Sequence, residues 1–232
     1  MRFSDRREAG RALARRLRAL ADDGALPDPL VLALPRGGVA VAREVADALG
    51  APLDVIVVRK IGAPSHEEFA VGALAGDGVP MFDPRTLRML GLAPGDLTAV
   101  VERERAELRR RERVYRQGRA SPEPAGRTVI VVDDGLATGA TARAALRSVR
   151  RRAPARTVLA VPVCSPEGAA SVAGEADDVV CLHRPAGFLA VGEWYDDFAQ
   201  LSDEDVLAAL HPSAGPGATE EGSRRGGSAA GG

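Results

Sequence analysis

The sequence predicts an α/β protein with a doubly wound, mainly parallel sheet flanked by helices. Short apolar runs have the length of buried strands, they alternate with segments of helical periodicity, and turns containing Gly, Asp or Pro separate the two. The strand candidates read LVLALP, DVIVV, TVIVV, TVLAVPV and DVVCL. Uninterrupted apolar strands are typical of parallel sheets that helices cover on both faces. A chain of 232 residues, 45% of them hydrophobic, is long enough for one sizeable domain.

The N-terminal segment, residues 1–24, is expected to form a helix that packs on the core. Small or apolar residues recur there at helical spacing, and Ser4 or Asp5 can cap a helix over residues 4–21. Residues 25–211 then form the main domain. Its last strands are expected to be separated by helices at 140–152 and 166–173.

An insertion, residues 62–126, interrupts the main domain between its second and third strands. Its first part, within residues 61–95, is rich in Gly and Pro and predicts a loop followed by a small hairpin. Residues 96–118 alternate Glu and Arg at spacings that predict a solvated, charge-dense helix. The tail, residues 212–232, is rich in Gly and Ser and is predicted to be disordered.

Composition narrows the classes of function. Lys plus Arg number 31 against 32 Asp plus Glu, for a formal charge of −1, which disfavours a nucleic-acid partner. No apolar run is long enough to span a bilayer, and the N-terminus lacks the apolar stretch of a signal peptide, so we expect a soluble cytoplasmic protein. Cys164 and Cys181 lie in apolar stretches and are expected to be buried free thiols.

The segment VIVVDDGLATGAT, residues 129–141, carries most of the chemical information. A buried strand runs into two acids and a loop of small residues, after which a helix begins. Ligands of doubly wound sheets bind at the carboxyl ends of the strands, where small residues and a helix N-terminus offer free N–H groups to a phosphate. Carboxylates repel phosphate, but they accept hydrogen bonds from vicinal hydroxyls. The segment therefore predicts a ribose 5-phosphate site, and a solvated Asp-Asp-Gly turn is the alternative.

This segment resembles the phosphoribosyl-pyrophosphate (PRPP) motif of type I phosphoribosyltransferases, and it matches neither the Walker A nor the GxGxxG pattern. The resemblance implies that family's fold, with a flexible loop in the insertion and a small C-terminal hood. It also implies that Asp133 and Asp134 contact the ribose 2- and 3-hydroxyls. The residues that it assigns to the 5-phosphate are Ala137, Thr138, Gly139, Ala140 and Thr141.

Two further strand ends are predicted to bind anions. Arg36, Gly37 and Gly38 follow the first strand at a helix start, and they resemble the family's pyrophosphate loop, which often contains a cis peptide before a non-proline residue. Arg59 and Lys60 follow the second strand, where a cation of this family approaches the pyrophosphate. Mg²⁺ is the expected cofactor, held largely through the oxygens of PRPP.

The hood segment, residues 184–200, is expected to face the acceptor. It resembles the hood of purine phosphoribosyltransferases, and the alignment places Asp196 near the family's metal-proximal Asp. The same alignment puts Leu189 where an aromatic residue stacks on the base, so that Phe188 and Trp194 are rival stacking residues. Closing the edge of the core is an equal alternative for these rings.

The sequence thus predicts an enzyme that transfers the 5-phosphoribosyl group of PRPP to a small nitrogenous acceptor, such as a nucleobase, and releases pyrophosphate. A PRPP-binding regulatory protein without transfer activity is the alternative. The family is commonly dimeric, which favours a homodimer. No role is assigned to His66, Glu67, Glu68, Tyr115 or Arg116.

Overall fold

Two sheets form the framework of the protein in the computed structural model, which describes residues 2–64 and 66–211 without the side chains of residues 66–68. The strands are β1 (Pro29–Ala33), β2 (Leu53–Val55), β3 (Val58–Ala63), β4 (His66–Ala75), β5 (Met81–Phe82), β6 (Thr128–Val132), β7 (Arg156–Val163) and β8 (Asp178–His183). Five of them form a parallel sheet in the order β2-β1-β6-β7-β8, and β3-β4-β5 form an antiparallel one. The predicted α/β class with a mainly parallel sheet is therefore confirmed.

Seven α-helices and two 3-10 helices connect these strands within the described residues. The α-helices are α1 (Arg6–Asp22), α2 (Gly37–Leu49), α3 (Pro84–Leu90), α4 (Thr98–Arg116), α5 (Ala140–Arg150), α6 (Pro166–Ser171) and α7 (Asp203–Leu210). The 3-10 helices span Pro94–Leu97 and Val191–Trp194. No described helix is long and apolar enough to cross a membrane.

Two apolar clusters, one on each face of the parallel sheet, make up the core. Helices α1 and α2 supply much of the first cluster, and α5 and α6 pack into the second. The α1 helix follows its sequence pattern, because Leu13 and Leu17 are fully buried. It begins where expected, since Asp5 Oδ1 accepts a hydrogen bond of 2.7 Å from the Glu8 N–H.

The second predicted strand differs from expectation. The apolar run that includes DVIVV divides into β2 and β3, which belong to different sheets, and Ile56 and Val57 lie between them. Arg59 and Lys60 consequently lie within β3 and not at the end of a core strand. The division is a tertiary effect, because β3 finds its partner in β4, a strand of ten residues that pairs along it.

The insertion contains one helix that the sequence interpretation missed. Asp83 caps α3 by accepting from the Arg85 N–H at 2.8 Å, and Pro84 follows it, which is a recognisable helix start. The charged helix α4 is also less solvated than expected. Arg116 forms an ion pair with Asp54 at 2.9 Å, and Tyr115 donates to Asp203 at 2.7 Å, so both residues fasten α4 to the core.

The N-terminal segment pairs with the hood segment. Phe3 and Tyr195 form a parallel β-bridge, and the Phe3 N–H donates to the Trp194 carbonyl at 2.9 Å. Cys164 is buried, Cys181 is half-buried, and both are free thiols. The predicted disorder of residues 212–232, like the side chains of His66, Glu67 and Glu68, lies outside the described residues.

Candidate functional site

The first two predicted loops meet at the carboxyl ends of neighbouring strands. Strands β1 and β6 are adjacent, so the chain leaving β1 at Pro35 lies beside the chain leaving β6 at Asp133. A Cβ atom on Gly37 would lie 1.9 Å from Asp134 Oδ2, and one on Gly38 would lie 2.9 Å from the Asp133 Cα. Only glycine permits this approach. The peptide bond between Pro35 and Arg36 is cis.

The carboxyl groups of Asp133 and Asp134 are neighbours, and both residues are half-buried. The Asp134 N–H donates to Asp133 Oδ1 at 2.9 Å, and the two side chains are close enough to repel each other when both are charged. Burial, followed by the charge of Asp134, raises the pKa of Asp133 well above its usual value. Burial also raises the pKa of Asp134, against a lowering contribution from Arg6. Carboxylates kept from water in this way favour a ligand that donates hydrogen bonds.

Arg6, at the start of α1, contacts this acid pair and was not foreseen. Its Nε donates to Asp134 Oδ2 at 2.8 Å, and its Nη1 donates to the Ala199 carbonyl at 2.9 Å. The guanidinium also lies 3.9 Å over the ring of Phe198. On the other side, the Tyr195 hydroxyl donates to the backbone carbonyl of Asp134 at 2.6 Å. The start of α1 and the hood segment therefore both hold Asp134 in place.

The loop of small residues is supported from behind by α6. Ser165 donates its hydroxyl to the Ala137 carbonyl, and the backbone of Gly168 packs against the same residue. Gly139, with φ of 74°, precedes α5 in the left-handed region that favours glycine. No side chain caps α5 at Gly139, so the first N–H groups of this helix have no side-chain acceptor at that position.

A cavity of about 200 Å³ lies between α5 and the small sheet. Lys60 of β3 and Thr141 of α5 both line it, so the structure brings together a cation and a hydroxyl that were predicted separately. Arg59 alternates with Lys60 along the strand and points to the other face. There it forms an ion pair with Glu104 of α4, with Nη2 and Oε2 at 2.7 Å.

Among the aromatic residues of the hood segment, Tyr195 is buried, whereas Phe188, Trp194 and Phe198 are half-buried. Trp194 packs edge-on against His183, with ring centroids 4.9 Å apart, and in parallel with Phe188 at 6.4 Å. Its indole nitrogen is buried without a hydrogen-bond partner among the described residues. Leu189, at the position where the family places a base-stacking ring, is 87% exposed. Phe188 and Trp194 are both half-buried, and Trp194 packs against the small apolar cluster of Phe3, Ala9 and Tyr195.

The predicted metal-proximal residue, Asp196, is at the surface. Its Oδ1 forms an ion pair of 2.9 Å with Arg2, and its N–H donates to the Phe3 carbonyl. No group of three or more His, Cys, Asp or Glu side chains is gathered for a metal within the described part of the chain. An exposed carboxylate such as that of Asp196 has the chemistry of a Mg²⁺ ligand, and Mg²⁺ bound through substrate phosphates takes only one or two protein carboxylates.

A parallel sheet with an acid pair and a glycine-rich turn at adjacent strand ends defines a protein of the phosphoribosyltransferase-like α/β class. Comparison with known proteins agrees: residues 5–191 match the family described as "Phosphoribosyl transferase domain". The chain belongs to the phosphoribosyltransferase family.

Individual relatives support this assignment. Two provisionally named phosphoribosyl transferases of Mycobacterium tuberculosis, Rv0571c of strain H37Rv and MT0597 of strain CDC 1551, are 47% identical to it over 208 residues. That alignment covers 90% of this chain and 46% of each relative, so the chain spans about half the length of these relatives. The crystal structure of TT1426 from Thermus thermophilus is 48% identical, with a TM-score of 0.77, over 90% of this chain and 98% of that one.

Proposed function

We propose that this protein transfers the 5-phosphoribosyl group of PRPP to a small nitrogenous acceptor and releases pyrophosphate. The observation that carries the proposal is the contact between the glycine turn after β1 and the acids after β6. Gly37 approaches Asp134 so closely that the proposed pyrophosphate and ribose positions are adjacent in one site. PRPP has the matching order of groups, with pyrophosphate on C1 and the hydroxyls on C2 and C3.

In the proposed reaction a nitrogen lone pair attacks C1 of the ribose, and the bond from C1 to the pyrophosphate oxygen breaks with inversion. The pyrophosphate takes the bonding electrons, and the acceptor nitrogen loses its proton to solvent. Positive charge develops on the ribose ring, where the carboxylates of Asp133 and Asp134 stabilise it while they hold the hydroxyls. No residue needs to become covalently attached.

On the leaving-group side, Arg36 and Lys60 are the proposed partners of the pyrophosphate. Neither has an ion-pair partner among the described side chains, so both charges are available to an anion. Arg59, which the sequence also assigns to this side, would have to leave Glu104 to reach it. Mg²⁺ bound to PRPP oxygens would supply further neutralisation of the leaving pyrophosphate.

The proposed 5-phosphate position is the N-terminal end of α5. Free backbone N–H groups and the positive end of the helix dipole favour a dianion there, and Thr141 can add a hydroxyl donor. The acceptor is proposed to bind beside the hood segment, where the half-buried rings of Phe188 and Trp194 are the candidate stacking surfaces. A nucleobase is one acceptor of this kind.

A pyrophosphate-release screen tests the proposal. Wild-type protein with PRPP and Mg²⁺ is supplied with nucleobases, amines and amides, and released pyrophosphate is measured. Release that depends on one acceptor class, and that disappears in Asp133→Asn/Asp134→Asn, is the expected result. PRPP binding without release for any acceptor would favour the regulatory alternative, and folded protein that does not bind PRPP would contradict both.

A further inference from the structure

Arg6 is the cation that contacts the acid pair within the described residues. Its side chain is 10% exposed and that of Asp134 is 14% exposed, so their ion pair of 2.8 Å is largely shielded from water. Shielding strengthens the attraction, because solvent no longer screens the charges. This distinguishes the pair from the exposed ion pairs of the same helix, such as Arg18 with Asp22, where the side chains are 57% and 60% exposed.

The guanidinium has three separate contacts that fix its orientation. Besides Asp134, it donates to the Ala199 carbonyl at 2.9 Å and lies 3.9 Å over the Phe198 ring. Phe198 in turn stacks on Tyr195, with ring centroids 5.0 Å apart. A planar guanidinium with several N–H donors can make all three contacts at once, whereas a lysine amine could make only some of them.

The contact uses one oxygen of the carboxylate. Arg6 Nε binds Asp134 Oδ2, the oxygen that faces the backbone of Gly37. Tyr195 holds the same residue by its backbone carbonyl. The Asp134 side chain is thus fixed from α1, from the turn after β1 and from the hood segment, while Oδ1 takes no part in the ion pair with Arg6.

We propose that Arg6 is a positioning residue for phosphoribosyl transfer, which holds the Asp134 carboxylate charged and oriented for a ribose hydroxyl. It would act through Asp134 and would not itself touch the substrate. This inference rests on the proposed function, because it gives Asp134 the ribose as its ligand. It adds to the site a residue of α1, which lies outside both the turn after β1 and the loop after β6.

The charges that surround the pair set the expected pH dependence. Arg6 comes from α1 and Tyr195 from the hood segment, and Asp133 and Asp134 also act on each other. Burial raises the pKa of both Asp133 and Asp134, and the charge of Arg6 opposes that rise. Without Arg6 the carboxyl groups should bind protons at higher pH, and a protonated pair accepts fewer hydrogen bonds from the ribose.

The test compares PRPP binding in the presence of Mg²⁺ across about pH 5 to 8.5 for wild type, Arg6→Met and Arg6→Lys, with Arg18→Met as the control on the same helix. Arg6→Met should weaken binding roughly tenfold or more at neutral pH and move the acid limb of the binding profile to higher pH. Arg6→Lys should keep that limb closer to wild type, since it retains the charge. Arg18→Met should bind as wild type does.

A ligand-free measurement separates this inference from the proposed function. The thermal midpoint of Arg6→Met should fall below that of wild type by more at about pH 7.5 than at about pH 4.5. Protonation of the carboxyls at the lower pH removes the ion pair from wild type, and Arg6→Met lacks it at every pH. If wild type does not bind PRPP, the proposed function is contradicted even where this pH-dependent deficit is found. Two results would overturn the positioning role. In one, Arg6→Met binds PRPP with the wild-type pH profile. In the other, Arg6→Met and Arg6→Lys lose affinity equally, and the acid limb of the binding profile does not move in either.

Discussion

At the scale of single residues, the acid pair is held in a state that is unfavourable for the protein alone. Burial and mutual repulsion raise the pKa of Asp133 well above that of the unfolded chain. A carboxyl group with a raised folded-state pKa destabilises the fold at every pH above its unfolded value, and the penalty grows until the folded pKa is passed. A loss of folding stability at a charged residue of this kind is typical of residues that bind a ligand.

Asp133→Asn is therefore expected to stabilise the ligand-free protein at neutral pH, by on the order of 1 kcal/mol, since one pKa unit corresponds to about 1.4 kcal/mol. The asparagine Oδ1 can still accept from the Asp134 N–H, so the local hydrogen bond survives. Urea denaturation at about pH 7.5 measures the change, and the gain should shrink toward about pH 4.5.

Asp134→Asn is the matched comparison. It removes the partner of the shielded Arg6 guanidinium, so it should lower stability at neutral pH where Asp133→Asn raises it. If both variants lose the same amount of stability, repulsion between the two acids does not destabilise the folded protein, and the prediction is wrong.

At the scale of elements, the loop between β6 and α5 follows from its sequence, because its turn and helix-start signals are local. Strand β6, the acids and the start of α5 all lie where the sequence predicts. The division of DVIVVRK into β2 and β3 does not follow from the sequence, since strand partners are chosen by tertiary contacts. The α3 helix could have been found from Asp83 and Pro84, which form a local start signal.

Gly139 offers a test of this loop. A Cβ there would lie 2.0 Å from Ser171 Oγ and 3.1 Å from the Gly168 carbonyl oxygen, so Ser171 would have to turn and the loop would have to shift from the α6 backbone. Gly126, with nearly the same φ of 72°, has nothing within 4 Å of that position. Both alanine variants should lose about 1–2 kcal/mol from the left-handed backbone. Only Gly139→Ala should also weaken binding of ribose 5-phosphate, measured by calorimetry, because the loop must move away from α6. Equal affinities in the two variants would argue against this loop as the phosphate site.

At the scale of the whole molecule, the site depends on contacts between distant parts of the chain. Arg6 and Asp134 are 128 residues apart, and Tyr195 reaches Asp134 across 61 residues. The sequence predicts that α1 packs on the core, but its periodicity carries no information on which side chain reaches the acids. The available signal was an Arg in the first turn of an amphipathic helix, on the side that packs against the core.

Phe3 tests whether these chain ends stabilise the fold. Its side chain is 2% exposed and lies 5.8 Å from the Tyr195 ring, so Phe3→Ala should cost about 3 kcal/mol of unfolding free energy. Phe69→Ala is the control, because Phe69 is 55% exposed and its loss should cost less than about 0.5 kcal/mol. Chemical denaturation of both variants gives the comparison, and a Phe3→Ala cost no larger than the control would show that the N-terminal bridge is dispensable.

The central claim is that the acids after β6 and the turn after β1 form one PRPP site. Isothermal titration of PRPP with Mg²⁺ into wild type and into the folded Asp133→Asn/Asp134→Asn variant tests it most directly. We predict saturable one-site binding to wild type, weakened by roughly a hundredfold or more in the variant, since two charge-assisted hydrogen bonds are lost. Equal affinity of PRPP for both proteins, or no binding to folded wild type, would contradict the account.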